Sequence, residues 1–474
     1  VVNAGTGTLN LPNSKIFGDL TIDKGKLELG NSTIYGDFRL NNGQVHFGTG
    51  HVYGDAILDT GKVSAAVGLN VYRDFITTQN DTFQGCLKVM GNLHQQINIG
   101  GPFLQFGTGD VLVLDNPAGA TLTGELPNNG GTVIIKRGKW SGPGKVNHSG
   151  MAKLIYDGSG PFYTSTVEWP VTSRPFLVEF KATGPAPYNR VYLQAHHTAS
   201  NASLVNGIIV LGDYNLKATF DMNFASQLNA SSFVATNGLG TLTMPFANGT
   251  LGRTFPVGTI DGREESTPVA MSIKNNNTLR DISIRVTAGQ HPEDSSATDY
   301  IARHWHIYDS EADAPMDYSF VLGYRPADKH GSGNIKIQGL KNTAWTTYNS
   351  IDGGNTISLT YSQSNTVNKL DSTQFAAFAP GTPGNANVYT WTGNVSQDYQ
   401  VANNWQPARN NVSNTDILQF NAGGAVSVTN VPSEVVAQIA FTNNTTVTFA
   451  PAYQNVYWYL EADNDTNTYE MLIE

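Results

Sequence analysis

The sequence predicts an all-β chain: an N-terminal β-solenoid of about 18 residues per coil, then a β-sandwich-like module, then the start of a further β-rich unit. Three observations carry this. A tetrapeptide recurs as Ile16-Phe17-Gly18-Asp19, Ile34-Tyr35-Gly36-Asp37, Val52-Tyr53-Gly54-Asp55, Val71-Tyr72-Arg73-Asp74 and Val89-Met90-Gly91-Asn92, and its last position continues to Asp110 at intervals of 18 or 19. Apolar residues alternate with polar ones around it, the period of a strand with one buried face. Only 14% of residues are charged, Gly reaches 49, and no stretch sustains the i, i+3, i+4, i+7 spacing of a helix.

Within each coil the alternation assigns the faces. Ile16, Gly18, Leu20 and Ile22 share an inner face with their equivalents, while Phe17, Asp19 and Thr21 point outward. The residue after the acid runs Leu20, Phe38, Ala56, Phe75, Leu93, Val111; the third after it runs Ile22, Leu40, Leu58, Thr77, Gln95. Glycine beside the acid leaves room for a bend or a close neighbour. A second glycine, at Gly25, Gly43 and Gly61, closes each coil with a tight or left-handed turn before strands such as Lys26-Leu27-Glu28-Leu29. One coil of this length cannot bury its own apolar face, so the coils must stack.

Residues 1–150 form the regular solenoid in this reading and 151–245 an irregular, strand-rich continuation, in which Gly207–Tyr214 again looks like rungs. Residues 246–380 alternate strands and turns in the manner of a sandwich. The Pro/Gly/Asn-rich stretch 381–387 is a linker, and 388–474 begin a new unit. With Val1 in place of an initiator Met and no taper after the closing strands, the chain reads as a piece of something longer.

The formal net charge is −10, a poor match to a phosphate-tracking surface, so nucleic acid is not an expected partner. A single cysteine, Cys86, excludes an intrachain disulfide and a Cys-rich zinc site. No apolar run is long enough to span a bilayer as a helix. Nucleophile-elbow, phosphate-loop, zinc-protease and dinucleotide motifs are missing.

Tyr389-Thr390-Trp391-Thr392-Gly393 with Asp398, then Ala402-Asn403-Asn404-Trp405, Pro407 and Thr415-Asp416-Ile417-Leu418, and a Val426-Ser427-Val428 strand, resembles a repeat unit of giant surface proteins. These are the SprB-type adhesins of gliding bacteria, exported by type IX secretion. Ala235–Leu242, Phe255-Pro256-Val257-Gly258 and Arg303-His304-Trp305-His306-Ile307 sit in the order such units use. The resemblance implies an extracellular, cell-surface segment with spacer and adhesive roles and no catalytic residues. Its partners would be other parts of the same giant protein, the secretion and anchoring machinery, and a polysaccharide or solid surface.

Two columns are candidate sites. Phe17, Tyr35, Tyr53 and Tyr72 would form an aromatic ladder, either a ligand-binding strip for sugar rings or a solid surface, or a stabiliser of the stack. Asp19, Asp37, Asp55 and Asp74 would lie beside it and repel one another unless compensated, by Ca²⁺ or by backbone N–H groups. With Lys15 and Arg73 nearby, the acids also keep alternative chemistry open: a polysaccharide lyase or hydrolase working on adjacent rungs. His196-His197 and His304/His306 lack an identifiable third zinc ligand, and Trp305 and Ile307 make the latter pair read as one wet face of a strand. Arg303 is expected either to pack or to pair with an acid of Asp309, Glu311 or Asp313. Sequons at Asn31, Asn80, Asn201 and Asn229, and Asp371-Ser372-Thr373 as an O-glycosylation acceptor, are common in a chain this rich in Asn, Ser and Thr.

Overall fold

In the computed structural model of the chain, residues 2–473 are described except 79–80, 101–105, 224–231, 295–297, 315, 333–334, 342–343, 364–369, 379–387, 411, 413–415, 437, 453–455 and 461–468. The expected linker 381–387, Asn80, Asn229 and Thr415 lie outside the described residues. Strands dominate; among the described residues the helical segments are three single 3₁₀ turns, at Pro292–Asp294, Pro326–Asp328 and Ala402–Asn404. Two compact units are present: residues 1–289 with 303–328 and 349–375, and residues 290–302 with 329–348 and 376–474.

The first unit is a parallel β-solenoid. Ile16 pairs with Ile34, Ile34 with Val52, Val52 with Val71 and Val71 with Val89. The column then continues through Leu114, Ile135, Tyr156, Phe180 and Leu204. From Ile34 onward all of these side chains are buried. Intervals along it are 18, 18, 19 and 18, then 25, 21, 21, 24 and 24, so coil length changes while the stack does not. Two further columns complete each early coil: Leu20, Phe38, Ala56, Phe75, Ile97, Leu122, and Leu9, Leu27, Val45, Val63, Phe83. These three inward rows are the core that one coil alone could not make.

The expected alignment slips after Val89. Ile97, not Leu93, lies on Phe75, and Ile99, not Gln95, lies on Thr77. Leu93 is exposed, and Val111 pairs with Cys86. Eight residues separate Val89 from Ile97 where four separate Val71 from Phe75, so a bulge displaces Asn92 and Asp110 from the acidic column although their count of 18 persists. Gln95 turns into the space, donating to the carbonyl of Val71 at 3.2 Å and to that of Arg73.

The stack ends on antiparallel sheet. Among the described residues Leu242 has no parallel partner beyond Leu216; instead Leu242–Phe246 runs antiparallel to Arg280–Ala288, which pairs with the 303–309 part of the next strand. A second antiparallel sheet joins Gly249–Phe255, Val269–Asn276, Asp317–Gly323, Thr356–Gln363 and Ser350–Asp352. Phe246 faces Phe255 and Phe320 meets Phe375 edge-on, which packs the two sheets as the expected sandwich. Covering the last rung in this way removes an open strand edge.

In the second unit, Val388–Trp391, Ile417–Phe420 and Gln438–Phe441 pair in parallel, as do Gly424–Val431 and Thr445–Pro451. Offsets of 21 between Val428 and Phe449 and between Leu418 and Ile439 show coils stacking in parallel here as well. The motif residues hold it. Asn404 is buried, its Oδ1 accepting from the N–H groups of Val395 and Ser396, while Trp405 donates to Tyr399 at 2.9 Å.

Candidate functional site

The aromatic and acidic columns form on adjoining positions at the first corner of each coil. Phe17, Tyr35, Tyr53 and Tyr72 stack in sequence with ring centroids 5.0, 5.5 and 4.5 Å apart and planes within 10° of parallel. Phe17 is 82% exposed, and Tyr35 and Tyr53 about half that. Because neighbours occupy both ring faces of Tyr35 and Tyr53, these two present edges and hydroxyls, and the highly exposed Phe17 keeps its outer face open to a sugar ring. Tyr72 is drawn partly inward, its hydroxyl 3.2 Å from His51 Nδ1.

Each acid reaches to the next coil. Asp19 Oδ1 accepts from the N–H of Asp37 at 2.8 Å, Asp37 Oδ1 from Asp55 at 2.8 Å, Asp55 Oδ1 from Asp74 at 3.2 Å, and Asp74 Oδ1 from Gln96 at 2.8 Å. This explains the glycine before each acid. A Cβ on Gly36 would overlap the Asp19 carboxylate and lie 2.6 Å from the Gly18 carbonyl carbon; Gly54 stands in the same relation to Asp37 and Gly36. Gly18, with no acid above it, has nothing within 4 Å. In the fourth coil Arg73 replaces the glycine, the Asp55 contact lengthens to 3.2 Å, and the Arg73 guanidinium sits 3.5 Å from that carboxylate. The pairing recurs far along the chain: Asp213 Oδ1 accepts from Leu239, beside Gly238.

Backbone N–H groups and Arg73 thus offset the repeated charge. One carboxylate oxygen per coil is left over, far from the six to eight oxygens Ca²⁺ gathers, so the column fits that ion poorly. Among the described residues no three His, Cys, Asp or Glu side chains come together as a metal cluster.

The histidine pairs separate. His196 accepts from Asn215, whereas His197 is buried, stacked 4.3 Å from Trp169 and bonded to Thr164. His304 and His306 occupy the partly exposed face of a strand whose Arg303, Trp305 and Ile307 are buried, as the alternation predicted. Arg285 lies 3.3 Å from His306, and burial followed by this cation holds its pKa below the ordinary value. Arg303 does not pair with Asp309, Glu311 or Asp313. Strand alternation turns it inward, where it binds Glu265 and, at 2.7 Å, Asp328, and donates to Thr259 on the last solenoid column. Asp309 instead pairs with the buried Arg280.

Sequence reasoning missed a polar column inside the stack. Asn128 and His148 bond at 3.0 Å, His148 Nε2 meets the Glu168 carbonyl at 2.8 Å, and all three are buried. The Glu168 carboxyl accepts from the Tyr156 hydroxyl at 3.0 Å and from Ser165. Burial pushes Glu168 up to about 7 and His148 and His197 down to about 4. The 20-residue spacing of Asn128, His148 and Glu168 was the available signal. Also missed was Arg409, enclosed by Tyr389, Tyr399 and Trp405 and paired with Asp416 and Glu434.

Comparison with protein-family models, with curated proteins and with solved structures finds no match to this chain.

Proposed function

We propose that the chain is a non-catalytic structural and adhesive segment of a very large secreted cell-surface protein, whose stacked coils hold a fixed form and present binding surface to a substratum, a glycan or other copies. The observation that carries the reading is the acid-to-N–H contact repeated from coil to coil. Paired-acid catalysis needs two carboxyl groups in unlike environments, whereas Asp19, Asp37 and Asp55 share one structural duty, with Arg73 beside Asp55 the one difference among them. The residues that resemble the gliding adhesins support it too, since Asn404 and Trp405 serve the packing of their unit. Extracellular location and dependence on type IX secretion rest on that resemblance.

The test pairs two assays on the same protein. Incubation with a panel of neutral and acidic polysaccharides is expected to release no new reducing ends or unsaturated products. Beads coated with the chain are expected to be retained on at least one polysaccharide or solid surface. Product formation that Asp37→Ala abolishes, without loss of folding, would make the solenoid an enzyme and end this reading.

A further inference from the structure

Polar side chains at the corners of the early coils are engaged with neighbouring coils. Asn31 caps Thr49, Asn41 donates to Asp23, and Thr78 donates to Asp59. One outer face differs. The strands containing Lys26–Leu29, Gln44–Phe47, Lys62–Ala65 and Thr82–Gly85 stack in parallel, and two outward rows run along the stack: Lys26, Gln44, Lys62, and Glu28, His46, Ser64, Gln84. Between them lies an open concavity of about 400 Å³. Lys26 is paired with Glu28 at 2.7 Å and His46 Nδ1 with Ser64 at 2.9 Å. Among the described residues, nothing engages the Lys62 ammonium or the side-chain amides of Gln44 and Gln84.

We propose that this groove binds a linear acidic glycan lying along the solenoid axis, its acid group on Lys62 and its hydroxyls on Gln44, His46 and Gln84. Its size falls within the range of small-ligand sites. Donors and acceptors repeat there at the rung spacing of about 4.8 Å, which suits a polymer carrying hydroxyls on every unit. Apart from Val45 the lining residues are polar or charged, which favours a hydroxyl-rich ligand over a lipid or an aromatic anchor. A peptide cannot add as a strand, because residues 44–47 already pair on both sides. A nucleic acid would need several free cations, and a single unpaired lysine on a chain of net charge −10 does not provide them.

This rests on the surface-binding reading above, and the experiment separates the two. The chain of residues 1–474 is run through native gels containing polygalacturonate or neutral dextran, with mobility taken relative to a gel without polymer. Polygalacturonate is expected to retard the protein, with an affinity that falls about tenfold in Lys62→Gln and in Gln44→Ala/Gln84→Ala, and falls further with added salt. Lys153→Gln, at an exposed lysine of a later coil, is expected to behave as the unsubstituted chain. These sites are exposed, and an unchanged melting temperature confirms that the variants fold. Retardation equal in all variants would overturn the groove while leaving surface binding elsewhere intact. No retardation by polygalacturonate would overturn the groove outright, and bead retention then decides the wider reading on its own.

Discussion

The coils from Ile16 to Val89 and those from Leu114 to Leu204 share one hydrogen-bonded column yet keep their register by opposite means. In the first group coil length is nearly constant, the core is mostly aliphatic with a few phenylalanines, and the tie that repeats from coil to coil sits outside at the corners, with Ser32 and Asn70 adding single buried ones. In the second, coils of 21 to 24 residues bury the larger side chains Trp140, Tyr156, Trp169 and Phe180, and a column of tying polar groups is inside. A parallel stack therefore tolerates insertions at its corners, provided each coil still delivers apolar residues to the column. Where length varies, buried hydrogen bonds of fixed geometry take over from the repeated corner.

The contrast breaks most visibly under acid. His148 and His197, held at about 4 against an ordinary 6.5, bind fewer protons folded than unfolded, so their contribution is lost as pH falls from 6.5 to 4, at about 3 kcal/mol each. Glu168, raised to about 7 from 4.5, binds more protons folded, so it returns about 3 kcal/mol as pH falls from 7 to 4.5. Hydrogen exchange at pH 4.5 against pH 7 should show a net loss of protection in residues 114–204 and little change in 16–90. Glu168→Gln removes the offsetting term and is expected to make that loss about twice as large. Equal loss in both regions would mean the buried column is not what distinguishes them.

Glycine substitution probes the outer device. Gly36→Ala and Gly54→Ala push a methyl into the preceding carboxylate and backbone and should each cost about 1–3 kcal/mol, whereas Gly18→Ala should stay within about 0.5 kcal/mol. Denaturant unfolding of the three variants decides this, and equal costs at all three positions would remove the acid–glycine explanation. Smaller again is the cap itself. Asp37→Ala should lose about 1 kcal/mol by leaving the Asp55 N–H without its acceptor, and Asp37→Asn should recover most of it. Tyr53→Ala, which removes two ring contacts on the exterior, is expected to cost about 1 kcal/mol.

The first four coils were legible because equal spacing and a Gly-Asp corner leave a periodic trace. Leu93 and Gln95 were misplaced because a four-residue bulge happens to preserve the count to Asn92 while shifting what packs inside. Later rungs such as Leu177–Ala182 could be recognised as strands, but unequal intervals hide which residue lies on which. Long-range ion pairs left no local trace at all: Arg303 finds Glu265 and Asp328 through the fold, and Arg280 takes the Asp309 that proximity had assigned to Arg303. The aromatic ladder formed as the alternation required, but that its faces would be closed by neighbouring rings follows only from the stacked geometry.

Cysteine pairs on a Cys86→Ser background test the stacking most directly. Replacing Arg39 and Ile57, 18 apart, and Ile134 and Ile155, 21 apart, places each pair on neighbouring strands within disulfide reach. Both pairs are expected to close under mild oxidation. A disulfide that forms between positions 134 and 152, at the 18-residue interval, in preference to 134 and 155 would contradict a column that persists while coil length changes.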